Sequence, residues 1–389
     1  MKLPPPQANQ KRLRILLVNS LLGGGGTDDR SVRLAVSLHK RGHAVALAGQ
    51  PQKTYAIQAR DQGLQIIPTT SRKRSRIIVV ARALRQQRYD ILQAHHGRDY
   101  WPAIAAAYLS CTRPAIVFVR HLAKSPSGFS RLFLLSQCDA MVGVSEFVAS
   151  LLRQGASDPQ SKEPERHYRP RLRGNLSKIH AIHGAFDLQR FHPQSSHPLR
   201  QAWNMDDTHF VFGVVGTYPP PRGKGQREFL QAAAQIAQQL PNARFAIIGR
   251  GKLRPVLEED ISRLNLSGRV TLVDWSNSMP DVMNTLNCLV HPQVATEALP
   301  GVIIEAHASG IPVIATTIDG NPEAFECGGL GRLVQPESIE DLASAMIEVA
   351  SQPALQFHER LVLHEKLKAE YSAENACRRF EELYEKILS

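Results

Sequence analysis

Two carboxylates, Glu297 and Glu305, stand eight positions apart around the tight turn Leu299-Pro300-Gly301. The apolar stretch LNCLVHP precedes them and the β-branched run PVIATT follows, which predicts a strand, a loop, a short helix and a second strand. Ligands of parallel α/β sheets bind beyond the carboxyl ends of the strands, so we expect Glu297 at the mouth of a cleft. A helix that begins near Gly301 points backbone N–H groups at an anion, and an acid one turn further accepts hydrogen bonds from sugar hydroxyls. Phosphate and sugar in one ligand indicate a nucleotide sugar.

A second candidate for phosphate binding is the segment GTYPPPRGKG, residues 216–225, which lies between an apolar stretch and a predicted helix. It is not a Walker A loop, because the spacing differs and Gly225 stands where Ser or Thr is required. Lys224 is a point charge at a helix N-terminus and Arg222 offers a planar fork, so we expect the two to neutralise a leaving diphosphate. The alternative is a solvated loop with two ordinary cations.

The segment from His291 to Glu323 resembles the donor-site signature of the retaining glycosyltransferases of family 4, written Glu-x7-Glu followed by Ala-x-x-x-Gly-x-Pro-Val. The anchors present here are Glu297, Glu305, Ala306, Gly310, Pro312, Val313 and the trailing Pro322-Glu323. The segments CDAMVGVSEFVASLLRQG and KIHAIHGAFDLQRF are similar to the interdomain pattern of the family, so the resemblance covers roughly residues 13 to 350. It implies that Glu305 holds the ribose, that Glu297 holds the donor sugar hydroxyls, and that Leu299, Gly301 and Val302 line the donor.

The chain departs from the family pattern at two loops. The family carries Gly-Arg-x before Lys-Gly, with both cations on the diphosphate, whereas Thr217 stands at the place of that Arg here. We therefore expect Arg222 to replace it. The family also has a Gly-Gly pair followed by an acid after the first strand, and Gly25-Gly26-Thr27-Asp28 shifts that spacing. Successive glycines such as Gly25 and Gly26 suit an anion-cradling loop or a mobile clamp over substrate.

His121 ends the apolar stretch AIVFVRH. A lone histidine at a strand end is more often structural than functional. Its position, however, resembles that of the family histidine that contacts the donor sugar near the reacting carbon. We therefore predict a catalytic role for His121 together with Glu297, while His95 and His183 match the family less well.

Length and pattern predict an α/β protein of two domains, because 389 residues exceed what one core usually supports. The resemblance implies the GT-B fold, in which two Rossmann-like domains face each other across a cleft. The predicted boundaries are 1–195 for an acceptor-binding N-terminal domain, 196–365 for a nucleotide-sugar-binding C-terminal domain, and 366–389 for a helix that crosses back to the first. Residues 154–177 are polar and proline-containing, which predicts an exposed inserted loop.

The net charge of +12 hides an asymmetry, since residues 1–195 carry +19 and residues 196–389 carry −7. Basic residues concentrate in SRKRSRIIVVARALRQQR from Ser71, where they flank apolar ones. This pattern suits a helix that lies on anionic lipid, and its alternative is a packed helix with a solvated basic face. A nucleic-acid partner is disfavoured because no aromatic-rich stacking motif accompanies the charge.

We therefore expect a retaining glycosyltransferase that uses a nucleotide sugar and a glycan or lipid-linked acceptor in cell-envelope polysaccharide or lipopolysaccharide synthesis. Two alternatives stay open: an epimerase that uses the same donor pocket, and a sugar-nucleotide-binding module without turnover. We expect no metal and no cofactor, since Asp28-Asp29 and Asp206-Asp207 are adjacent and form no DxD pair. Five cysteines without CxxC spacing and an N-terminus without a signal-peptide pattern indicate a cytoplasmic protein. The basic segment from Ser71 adds the expectation of a peripheral position on the cytoplasmic face of the membrane.

Overall fold

The computed structural model describes residues 11–161, 163–276 and 278–389, which form two compact units. Unit 1 combines the described residues up to Asp187 with Glu370–Ser389, and unit 2 is Leu188–Ala369. Each unit is a parallel sheet with helices connecting its strands, as the sequence predicts for a doubly wound α/β protein.

Unit 1 contains a seven-stranded sheet in the order β3-β2-β1-β4-β5-β6-β7. Its strands are β1 (Arg14–Val18), β2 (Ala44–Gly49), β3 (Gln65–Pro68), β4 (Ile91–Ala94), β5 (Ala115–Arg120), β6 (Ala140–Gly143) and β7 (Ile179–Ala181). Its first seven helices are α1 (Gly26–Lys40), α2 (Thr54–Asp61), α3 (Lys73–Gln86), α4 (Gly97–Ser110), α5 (Gly128–Phe133), α6 (Glu146–Gln154) and α7 (Pro164–His167). The central strand β1 is covered on both faces, which explains why it is apolar at every position after Arg14.

Unit 2 contains a six-stranded sheet in the order β10-β9-β8-β11-β12-β13. Its strands are β8 (Phe210–Val215), β9 (Ala243–Ile248), β10 (Val270–Val273), β11 (Cys288–His291), β12 (Val313–Thr316) and β13 (Gly331–Val334). The helices that follow are α8 (Gln226–Ile236), α9 (Arg254–Arg263), α10 (Met279–Thr285), α11 (Gly301–Ala308), α12 (Asn321–Glu326), α13 (Ile339–Ser351) and α14 (Phe357–Tyr371). In each sheet the second and third strands are added on one side of the first strand, and the fourth strand is added on its other side. A crevice is therefore expected between the first and fourth strands, at β1/β4 and at β8/β11.

The last helix, α15 (Ala373–Leu388), belongs to unit 1 and packs against α1. Its Glu381 is 1 % exposed and accepts two hydrogen bonds from the Arg41 guanidinium, at 2.8 and 2.7 Å. His43 Nε2 lies 2.9 Å from the same carboxylate. The hydrogen bond to Glu381 is the main reason why the pKa of Arg41 is raised. A buried, fully paired carboxylate therefore anchors this helix.

The inserted segment 154–177 is more ordered than the predicted exposed loop. Ala156 and Arg169 form an isolated antiparallel bridge, and α7 lies between them. Arg169 is 4 % exposed and donates to the carbonyl oxygen of Ala123 at 3.1 Å, while Leu172 is 1 % exposed. The long side chain of Arg169 thus brings its guanidinium to a backbone carbonyl inside unit 1. The polar composition of the segment does not predict this burial.

The basic segment from Ser71 forms α3, preceded by its N-cap Arg72. Arg72, Lys73 and Arg74 are exposed, but Arg76 is 3 % exposed and its Nε lies 3.4 Å from Asp99 Oδ1. The sequence pattern predicts Arg76 to face lipid with the other cations of this segment, which is wrong, because Arg76 is paired inside unit 1. No helix in the described part of the chain is long and apolar enough to cross a bilayer.

Candidate functional site

The expected crevice of unit 2 lies at β8/β11, where the loops after these neighbouring strands leave the carboxyl edge of the sheet. Lys224 comes from the loop after β8 and Glu297 from the loop after β11. Their side chains meet, with Lys224 Nζ 3.0 Å from Glu297 Oε2. The lysine side chain is 33 % exposed and the carboxylate 19 % exposed, so this ion pair remains accessible to a ligand.

The loop that carries Glu297 is held by the loop after β12. The backbone N–H of Gly320 donates to Glu297 O at 3.1 Å, and the backbone N–H of Glu297 donates to Asp319 Oδ2 at 3.3 Å. A Cβ at position 320 would lie 2.0 Å from Ala298 O, so the approach requires glycine. The loops after β11 and β12 are thus hydrogen-bonded to each other, and the loop after β8 brings Lys224 to the Glu297 carboxylate.

The shape of the 216–225 loop depends on two buried side chains. Gln226 is 0 % exposed and accepts from the backbone N–H of Lys224 at 2.7 Å. Tyr218 is 1 % exposed and donates to Gly249 O at 2.9 Å, which ties the loop to the turn after β9. Gly225 has φ +87°, and a Cβ there would lie 2.2 Å from Pro292 O. A Ser or Thr of a Walker A loop does not fit at this position.

Arg222 lies in the same loop as Lys224. Its Nη1 donates to Glu337 Oε1 at 2.7 Å, and its side chain is 34 % exposed. Thr217, which stands where the family carries an arginine, is exposed. A role of Arg222 on a phosphate therefore requires competition with Glu337, and the proposed replacement of the missing arginine stays a prediction.

The short helix α11 begins at Gly301, as the sequence predicts. Pro300 occupies the N-cap and has no side chain that can accept from the first backbone N–H groups. Glu305 follows Gly301 by four residues, which places it on the same helix face one turn further in. Leu299 is 2 % exposed, so its predicted contact with the donor stays a prediction. The predicted donor-binding residues Gly301, Val302 and Glu305 are partly exposed.

His291 ends β11 beneath this crevice and is 1 % exposed. Burial, with a further contribution from the charge of Lys224, lowers the pKa of His291 to about 4. Its Nε2 has no hydrogen-bond partner among the described residues. The imidazole is therefore neutral at pH 7 and adds no charge to the Lys224–Glu297 pair.

At the β1/β4 crevice of unit 1, a carboxylate from α1 likewise meets a side chain from the loop after β4. Asp28 on α1 is 1 % exposed, and its Oδ1 lies 2.9 Å from His96 Nε2 in the loop after β4. Burial opposes ionisation of Asp28, but hydrogen bonds from His96, Gly24 and Asn19 outweigh it and lower its pKa. Gly24 has φ +149° and the N-cap Gly25 has φ +97°, whereas Gly26 is the first helical residue. The glycine loop is thus pinned by a carboxylate of its own helix.

His121 follows β5 in unit 1 and lies against a second histidine. Its Nε2 is 3.1 Å from Nδ1 of His95, which itself follows β4. Burial lowers the pKa of His95 to about 3. Burial and the nearby His95 and Arg30 hold the pKa of His121 well below its ordinary value. Both rings are neutral at pH 7, and a contact of His121 with a donor sugar stays a prediction.

The sequence reasoning missed several residues that shape these crevices. Gln226, Tyr218 and Asp319 carry no family signature, and their roles depend on loops that meet only in the fold. Asp28 had a usable signal, since an acid four residues after Gly24 in the first turn of a helix can accept from the loop N–H groups. Among the described residues no group of three or more His, Cys, Asp or Glu side chains is placed to hold a metal ion.

Two family models match the chain, one in each half. The model "Glycosyltransferase Family 4" matches residues 24–162, and the model "Glycosyl transferases group 1" matches residues 209–352. Among curated relatives, a UDP-Gal:α-D-GlcNAc-diphosphoundecaprenol α-1,3-galactosyltransferase from Escherichia coli is 28 % identical over 183 residues, 46 % of each chain. A D-inositol 3-phosphate glycosyltransferase from Rhodococcus opacus is 27 % identical over 281 residues, 68 % of this chain and 60 % of the relative. The matched parts thus span about half the length of these relatives.

Solved structures resemble the whole chain. A glycosyltransferase from Rickettsia africae superposes with a TM-score of 0.81 at 16 % identity, covering 97 % of this chain and 99 % of the other. HepE from Anabaena, solved with UDP and glucose, has a TM-score of 0.75 at 18 % identity and covers 96 % and 100 % of the two chains. The predicted fold class is confirmed: the protein has the GT-B fold, with two Rossmann-like domains. Each half of the chain is similar to a glycosyltransferase family, as the two family models show.

Proposed function

We propose that this protein transfers a sugar from a nucleotide-sugar donor to a glycan or lipid-linked acceptor, with retention of the anomeric configuration. The observation that carries the proposal is the Lys224–Glu297 pair at 3.0 Å, beside the N-terminus of α11 at the carboxyl edge of unit 2. A mobile cation, a carboxylate and a row of backbone N–H groups are what a ligand with both phosphate and sugar requires.

In the proposed reaction Lys224 leaves Glu297 and binds the diphosphate, while the N–H groups of Gly301 and Val302 point at the same charge. These donors stabilise the negative charge that grows as the bond between the anomeric carbon and the phosphate oxygen breaks. As the resemblance implies, Glu305 holds the ribose and the released Glu297 holds donor sugar hydroxyls. The acceptor oxygen bonds to the anomeric carbon on the face that the phosphate leaves, and the departing phosphate takes the acceptor proton.

The names of the relatives support a role in building envelope glycans. The E. coli relative is named for a UDP-galactose donor and a diphosphoundecaprenol-linked acceptor, and HepE was solved with UDP and glucose. We propose the same chemical class for this protein: a uridine diphosphate sugar as the donor and a lipid-diphosphate-linked or other envelope glycan as the acceptor, at the cytoplasmic face of the membrane.

The test begins with a thermal-shift screen of nucleotide sugars, UDP-glucose and UDP-galactose first, with Glu305→Ala as the site variant. Glu326→Ala, at the exposed end of α12, is its control. Stabilisation of the wild type and of Glu326→Ala, but not of Glu305→Ala, supports the donor site. Product analysis with the selected donor then separates the classes. A glycosylated acceptor with unchanged anomeric configuration is expected. An isomerised nucleotide sugar indicates an epimerase, and binding without turnover indicates a binding module; either contradicts the transferase proposal.

We also propose that unit 1 brings the protein to an anionic membrane. At the start of α3 the exposed Arg72, Lys73 and Arg74 stand without any acid in the first turn, although cations at a helix N-terminus are unfavourable. Arg76 Nη2 reaches Arg98 O, so this end of α3 lies beside the first turn of α4. Binding of an anionic partner would offset the unfavourable charge arrangement.

An aromatic cluster on α4 and α5 of the same unit consists of the half-buried Trp101 and the exposed Phe129 and Phe133. The ring centroids of Trp101 and Phe129 are 4.9 Å apart, and those of Phe129 and Phe133 are 4.6 Å apart. Phe129 is 62 % exposed and Phe133 is 45 % exposed. Aromatic side chains next to cations suit the interface between lipid headgroups and acyl chains.

Co-sedimentation with liposomes tests the membrane proposal. Each basic residue near an anionic surface contributes about 1 kcal/mol, so reversal of Arg72, Lys73 and Arg74 to Glu should abolish binding to phosphatidylglycerol vesicles. Phe129→Ser with Phe133→Ser, made without the charge reversal, should also weaken binding. The matched control reverses three exposed cations of α14 and α15: Lys366, Arg378 and Arg379. Equal binding of both charge-reversed variants, or equal binding to neutral vesicles, would contradict the proposal.

A further inference from the structure

A buried chain of polar side chains runs from α15 to His121. Tyr384 is 0 % exposed, and its hydroxyl lies 2.6 Å from Gln93 Oε1. Gln93 Nε2 lies 3.1 Å from His95 Nε2, and His95 Nδ1 lies 3.1 Å from His121 Nε2. Gln93 and His95 are 0 % and 2 % exposed. The four residues, here called the His121 chain, all belong to unit 1.

The tyrosine end of the chain sets the direction of its hydrogen bonds. Burial raises the pKa of Tyr384 well above its ordinary value, so the phenol keeps its proton. In the described part of the protein Gln93 is the partner of this hydroxyl, so the O–H donates there. An amide accepts through its oxygen and donates through its nitrogen. Gln93 therefore turns its oxygen to Tyr384 and its NH₂ group to His95.

The proton positions on His95 and His121 follow from the chemistry of a neutral imidazole, which carries one N–H and one lone pair. Because the Gln93 amide nitrogen only donates, His95 Nε2 accepts and the proton of His95 is on Nδ1. That N–H donates to His121 Nε2, so the proton of His121 is also on Nδ1. The low pKa values of both rings keep them neutral at pH 7.

We propose that Tyr384, acting through Gln93 and His95, fixes His121 in the Nδ1-protonated tautomer, so that His121 presents an N–H donor to the substrate. His121 Nδ1 has no hydrogen-bond partner among the residues that the structure describes. His121 also lines a cavity of about 10 Å³, with room for one water, together with Arg30, His183 and Phe380. The orphaned nitrogen is thus the atom that a ligand oxygen would satisfy.

The inference rests on the proposed function for the identity of that oxygen, which would be a hydroxyl or phosphate oxygen of the nucleotide sugar. An Nδ1–H group attracts such an oxygen, whereas the opposite tautomer presents a lone pair and accepts only from a hydroxyl proton. Tyr384, Gln93 and His95 are positioning residues in this scheme, since they act on the substrate through His121.

Imidazole nitrogen NMR on protein with ¹⁵N-labelled histidine tests the tautomer without any substrate. In the wild type at pH 7 we expect His95 and His121 each to show a protonated Nδ1 and an unprotonated Nε2. In Tyr384→Phe the Gln93 amide loses the hydrogen bond that orients it, and both tautomers of His121 should become populated. Tyr100→Phe is the matched control, because Tyr100 is also buried in unit 1 and donates its hydroxyl to Val119 O at 2.8 Å. This variant should leave the His121 signals unchanged.

An Nε2-protonated His121 in the wild type, or a single unchanged tautomer in Tyr384→Phe, would overturn the proposal. If Tyr384→Phe does not fold, Gln93→Met removes the donor to His95 and should mix the tautomers in the same way. Kinetics provide the second readout: Tyr384→Phe should lower turnover by roughly two-fold to ten-fold, since the productive tautomer stays partly populated, and Tyr100→Phe should not. Failure of glycosyl transfer leaves the NMR result intact, so the two proposals fail separately.

Discussion

Lys224 Nζ lies 3.0 Å from Glu297 Oε2, so the cation and the carboxylate that we propose for the two ends of a nucleotide sugar neutralise each other in this structure. Both side chains are partly exposed, which keeps the strength of the pair modest. In the proposed function, a diphosphate, which carries more negative charge than one carboxylate, would displace Glu297 from the lysine. Donor binding would then release Glu297 for the sugar hydroxyls, which couples recognition of the phosphate to recognition of the sugar.

Lys224→Ala should lower turnover on the order of 10²-fold, because a group that stabilises the leaving charge is removed. The fold should stay intact, since the side chain lies at the edge of the sheet. Steady-state kinetics with the donor found in the screen measure the effect. Arg244→Ala is the control, because Arg244 lies near the start of β9 at the opposite edge. Near wild-type turnover in Lys224→Ala would show that the diphosphate binds elsewhere.

Thr217→Arg should restore part of the activity lost in Arg222→Ala, since either guanidinium is expected to reach the same phosphate. The Arg222–Glu337 hydrogen bond at 2.7 Å adds a second expectation. Glu337→Gln frees Arg222 and should strengthen donor binding, measured as a lower KM for the donor. Absence of rescue, together with a loss of activity in Glu337→Gln, would identify Arg222 and Glu337 as a structural pair.

The stability contributed by Asp28 should depend on pH. Its pKa in the folded protein lies below 3.8, its ordinary value, so the folded state favours the charged form. The contribution is present above about pH 4 and is lost as the pH falls through the folded pKa. Urea unfolding of wild type and Asp28→Asn, from pH 7 down to about pH 3, should show a difference in unfolding free energy that shrinks at the acid end. A constant difference would contradict the assigned ionisation.

Glu381→Ala should destabilise the protein by about 3 kcal/mol, because it leaves Arg41 without its bidentate partner. Arg378→Ala, which breaks an exposed pair with Glu382 on the same helix, should cost less than about 1 kcal/mol. Denaturant unfolding gives both values. Similar small effects of the two changes would show that α15 is held by its apolar face rather than by the buried ion pair.

The sequence was sufficient for most of the strands, though not for β7 and β13, and for the fold class and the start of α11. These follow from apolar runs, glycines and prolines close together in the chain. It was also sufficient to select Lys224 and Glu297 separately. Their contact joins residues 73 positions apart and depends on the pairing of β8 with β11, which no local pattern encodes.

The burial of Arg76 marks a second limit of the sequence. Its neighbours Arg72, Lys73 and Arg74 are exposed, and a count of basic residues treats all four alike. Only the packing of α3 on α4 brings Arg76 to Asp99. The same holds for the His121 chain, whose tyrosine is separated from its glutamine partner by 291 positions.

Because α15 carries both Glu381 and Tyr384, unit 1 lacks part of its core until residues made after the whole of unit 2 have emerged from the ribosome. Domains of nascent chains usually fold in order from the N-terminus. Here unit 2 is a continuous segment and can fold first, although its synthesis starts later than that of unit 1. A ribosome-bound chain from which unit 2 has emerged while α15 is still inside the exit tunnel should therefore protect unit 2 from protease while unit 1 is still cleaved.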